Sequence, residues 1–263
     1  MPGPERGATP SYDATIADRV DLTDTIAAFR IRPDGPVMPF TPGQYVTIGR
    51  VGADGRLVQR PYSVASSARR TEAGYELFIR LVRAGALTPL LFATKVGDRV
   101  TLKRPKGRFT LRPDDQRTHI FIATGCGLAP FLSMLRTLDD DAAPRKVIVL
   151  HGVSYADELG YRSELERWAT DPRWGLRYVP TVSRPREPRN AGWTGRTGRA
   201  ETVLGPLLDE LRLPPAESVA YICGNPEMTV TAEEILRGHG FDAGSIHKEL
   251  YWPLGSGRSS GAA

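Results

Sequence analysis

The sequence predicts two domains, an N-terminal antiparallel β-barrel and a C-terminal α/β domain built on a parallel sheet. Up to about residue 111, short segments rich in β-branched and aromatic residues are separated by Gly and Pro, which is typical of antiparallel strands. Beyond that point, continuous apolar strands alternate with helical segments, which indicates βαβ units. The expected boundaries are a disordered N-terminus at 1–10, the barrel at 11–113, the α/β domain at 117–252 and a flexible Gly/Ser-rich tail at 253–263.

The first half contains several strand-like segments and one helical segment, Leu87–Lys95. Because closing a sheet into a barrel removes its exposed edges, six or so short strands with one helix favour a barrel. The strand-like segments are Thr25–Ile31, Gln44–Ile48, Gln59–Ala65 and Tyr75–Val82.

The second half follows a polar, proline-containing linker at residues 112–116. Its predicted strands are His119–Ala123, Lys146–His151, Leu176–Val182 and Ser218–Cys223. Its predicted helices are Leu128–Leu138, Ser163–Trp168, Ala200–Leu211 and Pro226–Arg237.

Composition excludes several classes of protein. The 263 residues are 40% apolar and 25% charged, as in ordinary globular proteins, and no apolar run is long enough for a membrane helix. The sequence lacks a helix-turn-helix signature and zinc-ligand spacing, so we expect no nucleic-acid partner and no metal site. Two cysteines, far apart, and no secretory signal predict a cytoplasmic protein. We also expect a monomer.

The tetrapeptide Arg60-Pro61-Tyr62-Ser63 ends one of the predicted barrel strands. A tyrosine ring can stack on a flavin, and an arginine presents a fork of donors to pyrophosphate oxygens. The serine hydroxyl could lie near a reactive ring nitrogen. Taken alone, the tetrapeptide is better explained as an ordinary Arg/Tyr pair on an exposed strand.

Two further segments place a loop before a helix N-terminus, where unpaired N–H groups and partial positive charge favour a phosphate, and in a third Cys223 would pack beside a nicotinamide ring. Gly85-Ala86-Leu87-Thr88-Pro89 opens the barrel helix. Thr124-Gly125-Cys126-Gly127-Leu128-Ala129-Pro130 and Cys223-Gly224-Asn225-Pro226 each follow a strand of the α/β domain, at the sheet edge where ligands bind. The alternatives are a plain glycine turn for the second segment and, for Cys223, a small buried apolar residue.

In this order, the strings RxYS, TGxGxxP and CGxP resemble the motifs of the ferredoxin–NADP reductase family, from about Ser11 to Trp252. The ending His247–Trp252 resembles the terminus of the bacterial ferredoxin (flavodoxin) reductases. The resemblance implies that Tyr62 and Tyr251 sandwich the flavin ring, with Trp252 near the adenine. It places Ser63, Cys223 and Tyr251 at the reacting rings.

The resemblance also implies which residues hold the two cofactors, FAD and NADP(H). The remaining FAD contacts are Arg60, Pro61, Gly85, Leu87, Thr88 and Thr124. The NADP contacts are Thr124, Gly125, Gly127, Pro130, Cys223, Gly224, Arg184 and Arg196. The two arginines grip the 2′-phosphate, whereas Ser154 stands where the family commonly has a third arginine, which weakens the preference for NADPH.

The expected function is that of an FAD-dependent ferredoxin/flavodoxin–NADP⁺ reductase, which couples hydride exchange with NADP(H) to single-electron transfer. Because two cysteines cannot supply the four thiolates of an iron–sulfur cluster, any cluster belongs to a separate partner. We expect that partner to be an acidic ferredoxin or flavodoxin, docked on Lys103, Arg104, Lys106 and Arg108. The alternatives are an NADH-dependent oxygenase reductase component and a flavin-binding subunit or sensor that does not turn over.

Overall fold

A computed structural model describes residues 12–250 of the protein. The predictions for the terminal segments 1–10 and 253–263, and those for Tyr251 and Trp252, lie outside the described residues. Within the described range, no helix combines the length and the apolar character that crossing a bilayer requires.

The N-terminal half is a six-stranded antiparallel sheet in the order β4-β3-β6-β1-β2-β5. The two outer strands meet through a bridge between Val64, just after β4, and Leu77 of β5, which closes the sheet into a barrel. The strands are β1 (Ala14–Thr23), β2 (Ile26–Pro33), β3 (Tyr45–Val51), β4 (Leu57–Ser63), β5 (Tyr75–Arg80) and β6 (Arg99–Lys106), and helix α1 (Thr88–Phe92) lies between the last two.

The barrel confirms the predicted architecture, but two of its strands, β1 and β6, are absent from the sequence prediction. Much of β1 is partly or fully exposed, and β6 carries a run of basic residues and a proline, so neither shows a clear apolar alternation. Helix α1 is also shorter than the predicted Leu87–Lys95, because Ala93 already caps it.

The C-terminal half is a six-stranded parallel sheet in the order β10-β9-β8-β7-β11-β12, as predicted for its class. Its strands are β7 (Thr118–Thr124), β8 (Lys146–Val153), β9 (Gly175–Val182), β10 (Arg196–Thr197), β11 (Ser218–Gly224) and β12 (Ile246–Leu250). The connecting helices are α2 (Ala129–Asp140), α3 (Arg162–Thr170), α4 (Ala200–Leu211) and α5 (Pro226–Gly238). The strand order reverses between β7 and β11, and ligands of open α/β sheets bind beyond the carboxyl ends of the strands at such a point.

The two halves share part of one hydrophobic core. Phe109, which follows β6, lies 5.8 Å from the ring of Phe131 in α2 and 5.7 Å from the ring of Tyr221 in β11. Phe121 of β7 stacks on Phe131 at 4.6 Å. Because these rings are buried together, the barrel cannot move away from the parallel sheet without exposing them.

Arg136 of α2 joins the two halves through buried ion pairs. Its guanidinium lies 2.6 Å from Glu76 of β5 and 2.7 Å from Glu164 of α3, and it also donates to the carbonyl of Ala65 at 2.9 Å. The hydroxyl of Tyr161 donates to Glu76 at 2.9 Å. Burial alone would raise the pKa of Glu76, but Arg136 and Tyr161 outweigh burial and the pKa lies below its usual value.

Replacing Arg136 by alanine leaves two buried carboxylates without this partner. We expect Arg136→Ala to lower the free energy of unfolding by about 3 kcal/mol or more, measured by urea denaturation. The matched control is Arg70→Ala, which breaks an exposed pair with Asp140 across the same interface and should cost less than about 1 kcal/mol. Equal losses in the two variants would contradict the structural role of the buried cluster.

Candidate functional site

The loops that follow β7 and β11 lie against each other at the carboxyl edge of the parallel sheet. Thr124 ends β7, and its hydroxyl oxygen accepts a hydrogen bond of 2.8 Å from the amide of Asn225. Gly224 has φ +146°, and a side chain there would place Cβ only 2.2 Å from that same oxygen. Two motifs about a hundred residues apart in the sequence therefore form one surface, as the sequence predicts.

The turn Gly125–Leu128 carries the chain from β7 into α2 without a side-chain cap at its start. Gly125 has φ +51°, and a Cβ on Gly127 would lie 2.3 Å from the carbonyl oxygen of Cys223. Pro130 lies in the first turn of α2 and removes no needed donor there. Because no side chain caps this start, the first backbone amides of the turn suit an anionic ligand.

The side chain of His151 contacts the first residue of this turn. The side chain is fully buried, with Nε2 3.1 Å from the carbonyl of Gly125 and Nδ1 3.3 Å from the hydroxyl of Tyr178. Burial lowers the pKa of His151 to about 4, so the ring is neutral near pH 7. A carbonyl can only accept, so Nε2 carries the proton and Nδ1 accepts from Tyr178.

Arg80, at the end of barrel strand β5, lies near the glycine turn Gly125–Leu128. Its guanidinium holds the carboxylate of Glu158, which is 2% exposed, at 2.9–3.0 Å. The amide of Ser154, beyond the end of β8, donates to the same carboxylate at 3.2 Å. The nearest neighbour of a Cβ built on Gly125 would be Arg80, at 3.8 Å. The glycine turn therefore lies beside a positively charged group from the other half of the molecule.

The tetrapeptide Arg60–Ser63 lies at the end of β4, as predicted, on the side of the barrel that faces this edge. Arg60 is exposed, whereas Tyr62 is partly buried against the barrel core. Burial raises the pKa of the Tyr62 phenol well above its usual value. Ser63 is 4% exposed and points across to β12.

Ser63 donates a hydrogen bond of 3.0 Å to Glu249 of β12, which joins the barrel to the parallel sheet. Glu249 is also the direct register partner of Cys223 in β11. Burial raises the pKa of Glu249 from 4.5 to about 7, and the bond from Ser63 offsets only part of that rise. Cys223 itself is fully buried. Ser63, Cys223 and Glu249 are thus neighbours where the two sheets meet.

The segment Gly85–Thr88 forms a closed turn before α1. The hydroxyl of Thr88 accepts from the amide of Val82 at 2.9 Å and donates to its carbonyl at 3.0 Å, and Leu87 is buried. The turn itself therefore satisfies the Thr88 hydroxyl, so any phosphate contact here uses backbone amides. With five residues, α1 offers a weaker positive end than the sequence suggested.

Arg184 and Arg196 have different partners. Arg184, after β9, donates to the hydroxyl of Tyr155 at 2.7 Å and lies 3.5 Å from Glu187. Arg196 of β10 is paired with Glu210 of α4, which also binds Arg177. Arg184 thus faces the loop after β8, while Arg196 is tied to a helix.

These residues fit FAD and a nicotinamide dinucleotide. The backbone amides of the uncapped glycine turn suit a pyrophosphate, and the aromatic ring of Tyr62 suits stacking on a flavin ring. Glu249 is partly exposed, and burial raises its pKa to about 7, the kind of perturbation that is frequent in functional sites. Among residues 12–250, no group of three or more His, Cys, Asp or Glu is placed to hold a metal ion.

Sequence reasoning missed Glu249, His151 and Glu158 as members of the site. Glu249 lies inside the terminal string His247–Trp252, but a lone glutamate in a short strand carries no signal of its own. His151 ends a predicted apolar strand, where a buried histidine is the ordinary expectation. Only the fold brings these side chains to Ser63, Gly125 and Arg80.

Comparison with known proteins identifies both halves of the chain. Residues 13–111 match the oxidoreductase FAD-binding domain and residues 121–234 match the oxidoreductase NAD-binding domain. The reductase component of phenol 2-monooxygenase from Pseudomonas sp. strain CF600 is 32% identical over 96% of this chain and 69% of its own length. The ferredoxin–NADP reductase of Azotobacter vinelandii is 32% identical over 82% of this chain and 85% of its own length.

Solved structures of reductases have a similar fold. The ferredoxin NADP⁺ reductase from Neisseria gonorrhoeae with bound FAD and NADP superposes with a TM-score of 0.77, at 26% identity over 91% of this chain and 98% of that one. The Amycolatopsis cytochrome P450 reductase GcoB gives a TM-score of 0.78, at 27% identity over 92% of this chain and 70% of that one.

Proposed function

Because the chain belongs to the ferredoxin–NADP reductase family of FAD- and NAD-binding oxidoreductases, we propose that it oxidises NADPH and passes the electrons singly to a small acidic redox protein. The observation that carries the proposal is the meeting of Ser63 and Glu249 beside the two glycine loops. In the proposal, this pair from the two sheets holds a proton beside the place where a flavin and a nicotinamide would lie face to face.

In this proposal the barrel holds FAD and the parallel sheet holds NADP. Tyr62 covers one face of the flavin ring, Arg60 and the Gly85–Thr88 turn hold its phosphates, and Ser63 lies beside the ring. Tyr251 and Trp252, which follow β12 in the sequence, keep the roles that the resemblance implies. The FAD contacts are Arg60, Pro61, Tyr62, Ser63, Gly85, Leu87, Thr88 and Thr124. The NADP contacts are Thr124, Gly125, Gly127, Pro130, Cys223, Gly224, Arg184 and Arg196.

Bound FAD supplies the chemistry of accepting a hydride and releasing its two electrons one at a time. Each NADPH oxidised in this way yields NADP⁺, two electrons and one proton, so the proton must leave the site. Glu249 accepts it through Ser63: the serine oxygen takes a proton as its own hydrogen passes to the carboxylate. A carboxyl with a pKa of about 7 is suited to this exchange near neutral pH.

The pH dependence of turnover tests the role of Glu249. Only the ionised carboxylate can accept a proton, so kcat with a one-electron acceptor should rise through an apparent pKa of about 7. In Glu249→Gln we expect kcat to fall about tenfold or more and this inflection to disappear. The control is Glu217→Gln, an exposed glutamate at the opposite edge of the sheet, which should keep the wild-type profile. A wild-type profile without an inflection between pH 6 and 8 would refute the assignment.

The acceptor is proposed to dock on four exposed cations at the end of β6: Lys103, Arg104, Lys106 and Arg108. A register irregularity between β3 and β6 turns the neighbouring side chains Lys103 and Arg104 both outward. In the described part of the chain, no ion pair engages any of the four. Lys103 and Pro61 are both register partners of Thr47, so this surface is two strands, or about 10 Å, from the tetrapeptide Arg60–Ser63.

Charge reversal tests this surface. We expect Lys103→Glu to raise KM for an acidic ferredoxin or flavodoxin about fivefold at low ionic strength, with the difference fading at about 0.5 M salt. Lys146→Glu makes the same charge change at the start of β8, on the opposite edge, and should leave KM nearly unchanged. A similar effect in both variants would indicate a response to net charge and would remove the docking proposal.

A second candidate is the reductase component of an oxygenase that uses NADH. The observation in its favour is the likeness to the phenol 2-monooxygenase reductase component, whose identity to this chain equals that of the ferredoxin–NADP reductase of Azotobacter vinelandii. Arg184 favours the first candidate, because a guanidinium can bind the 2′-phosphate that only NADPH carries. A flavin-binding subunit without turnover is the third possibility, and the contact between buried Ser63 and partly exposed Glu249 argues against it.

Anaerobic reduction of the purified flavoprotein distinguishes the three. We expect NADPH to bleach the flavin absorbance with a higher kcat/KM than NADH, and oxidised ferredoxin or flavodoxin to restore the absorbance. Preference for NADH, with slow reoxidation by both small proteins, would support the oxygenase component. Absorbance that neither nicotinamide bleaches would exclude a reductase and support the non-turnover subunit.

A further inference from the structure

The guanidinium groups of two arginines lie against the ring of Tyr155, just beyond the end of β8. The guanidinium carbon of Arg189 lies 4.2 Å from the ring centroid, and that of Arg184 lies 5.4 Å from it. Arg189 is also held by Asp157 at 2.8 Å, which fixes its direction. Sequence reasoning assigned Arg189 no role.

The position of Arg189 follows from its buried neighbour, Asn190. The amide of Asn190 is 3% exposed and donates to the carbonyls of Ser154 and Arg184, at 2.9 Å each. Its oxygen accepts from the amide of Ala156 at 2.8 Å. The loop that carries Arg189 is therefore fastened to the segments after β8 and after β9.

The end of β8 is the place where a dinucleotide's ribose is recognised in folds of this class. The phosphate-binding turn follows one strand, here β7, and side chains near the end of the next strand distinguish a 2′-hydroxyl from a 2′-phosphate. Ser154 stands at that end and offers no cation. Arg189 and Arg184 both lie against the adjacent Tyr155, whereas Arg196 lies on β10 and pairs with Glu210 of α4.

We infer that Arg189 is a specificity residue for the 2′-phosphate of NADPH and supplies, from the loop after β9, the positive charge that Ser154 lacks. The inference rests on the proposed function, since it concerns the same dinucleotide site. In this inference Arg189 and Arg184, which both contact Tyr155, bind the phosphate together. Asp157 and Asn190 position Arg189 and do not touch the ligand.

The test measures binding of 2′,5′-ADP and of 5′-ADP to the holoprotein by calorimetry, beside kcat/KM for NADPH and NADH. In Arg189→Gln, Kd for 2′,5′-ADP should rise about tenfold, as for the loss of one charge-assisted bond, while Kd for 5′-ADP changes less than twofold. The ratio of kcat/KM for NADPH to that for NADH should fall by a similar factor. Arg189→Lys should recover part of the loss. Arg186→Gln, an exposed arginine of the same loop, is the matched control.

Three results would overturn the inference. One is an unchanged nucleotide preference in Arg189→Gln, and another is an equal loss for both nucleotides, which would indicate a purely structural role. The third is a wild-type protein that binds 5′-ADP as tightly as 2′,5′-ADP. Failure of the proposed function is recognised separately. If neither NADPH nor NADH reduced the flavin, the proposed function would fail, whereas calorimetry would still show whether Arg189 discriminates 2′,5′-ADP from 5′-ADP.

Discussion

The buried ion cluster around Arg136 is the constraint on which the site depends. The half-reactions of a reductase of this family need groups from two sheets at fixed separation, and an ångström of displacement is enough to slow a transfer reaction. Arg136 binds Glu76 of the barrel and Glu164 of the α/β half at the same time, with both carboxylates largely removed from water. Such a cluster contributes little net stability, but removing one partner from it is costly, so separation of the two halves at this point is opposed.

Once the two halves are held together, the strand order of the parallel sheet determines which of its residues lie against the barrel. Because the order reverses between β7 and β11, their carboxyl ends open a crevice, and β12 lies on the far side of β11. As a result Glu249 lies next to Ser63, and the glycine turn after β7 lies next to Arg80. The site is therefore a product of strand order and of the angle between the sheets.

The sequence predicts the architecture and the glycine loops because these depend on local patterns: apolar runs, turn residues and helix starts. Strands β1 and β12 escape prediction, since exposed or short strands lack a periodic apolar face. Glu249 escapes for another reason, because its role arises from a partner 186 positions away. Arg196 is named from the sequence, but its pairing with Glu210 of α4 cannot be predicted, because that pairing depends on tertiary packing.

Comparison of three carboxylates gives the physical reason for proposing a functional role for Glu249. Glu76 and Glu158 are both buried, and each is held by an arginine, which is how proteins ordinarily keep a buried charge. Glu249 is only partly exposed, its partner among the described residues is a neutral serine, and its pKa rises to about 7. Among residues 12–250 an arginine compensates each of the first two charges, whereas Glu249 has only the serine, and this difference is the reason for proposing that Glu249 exchanges a proton.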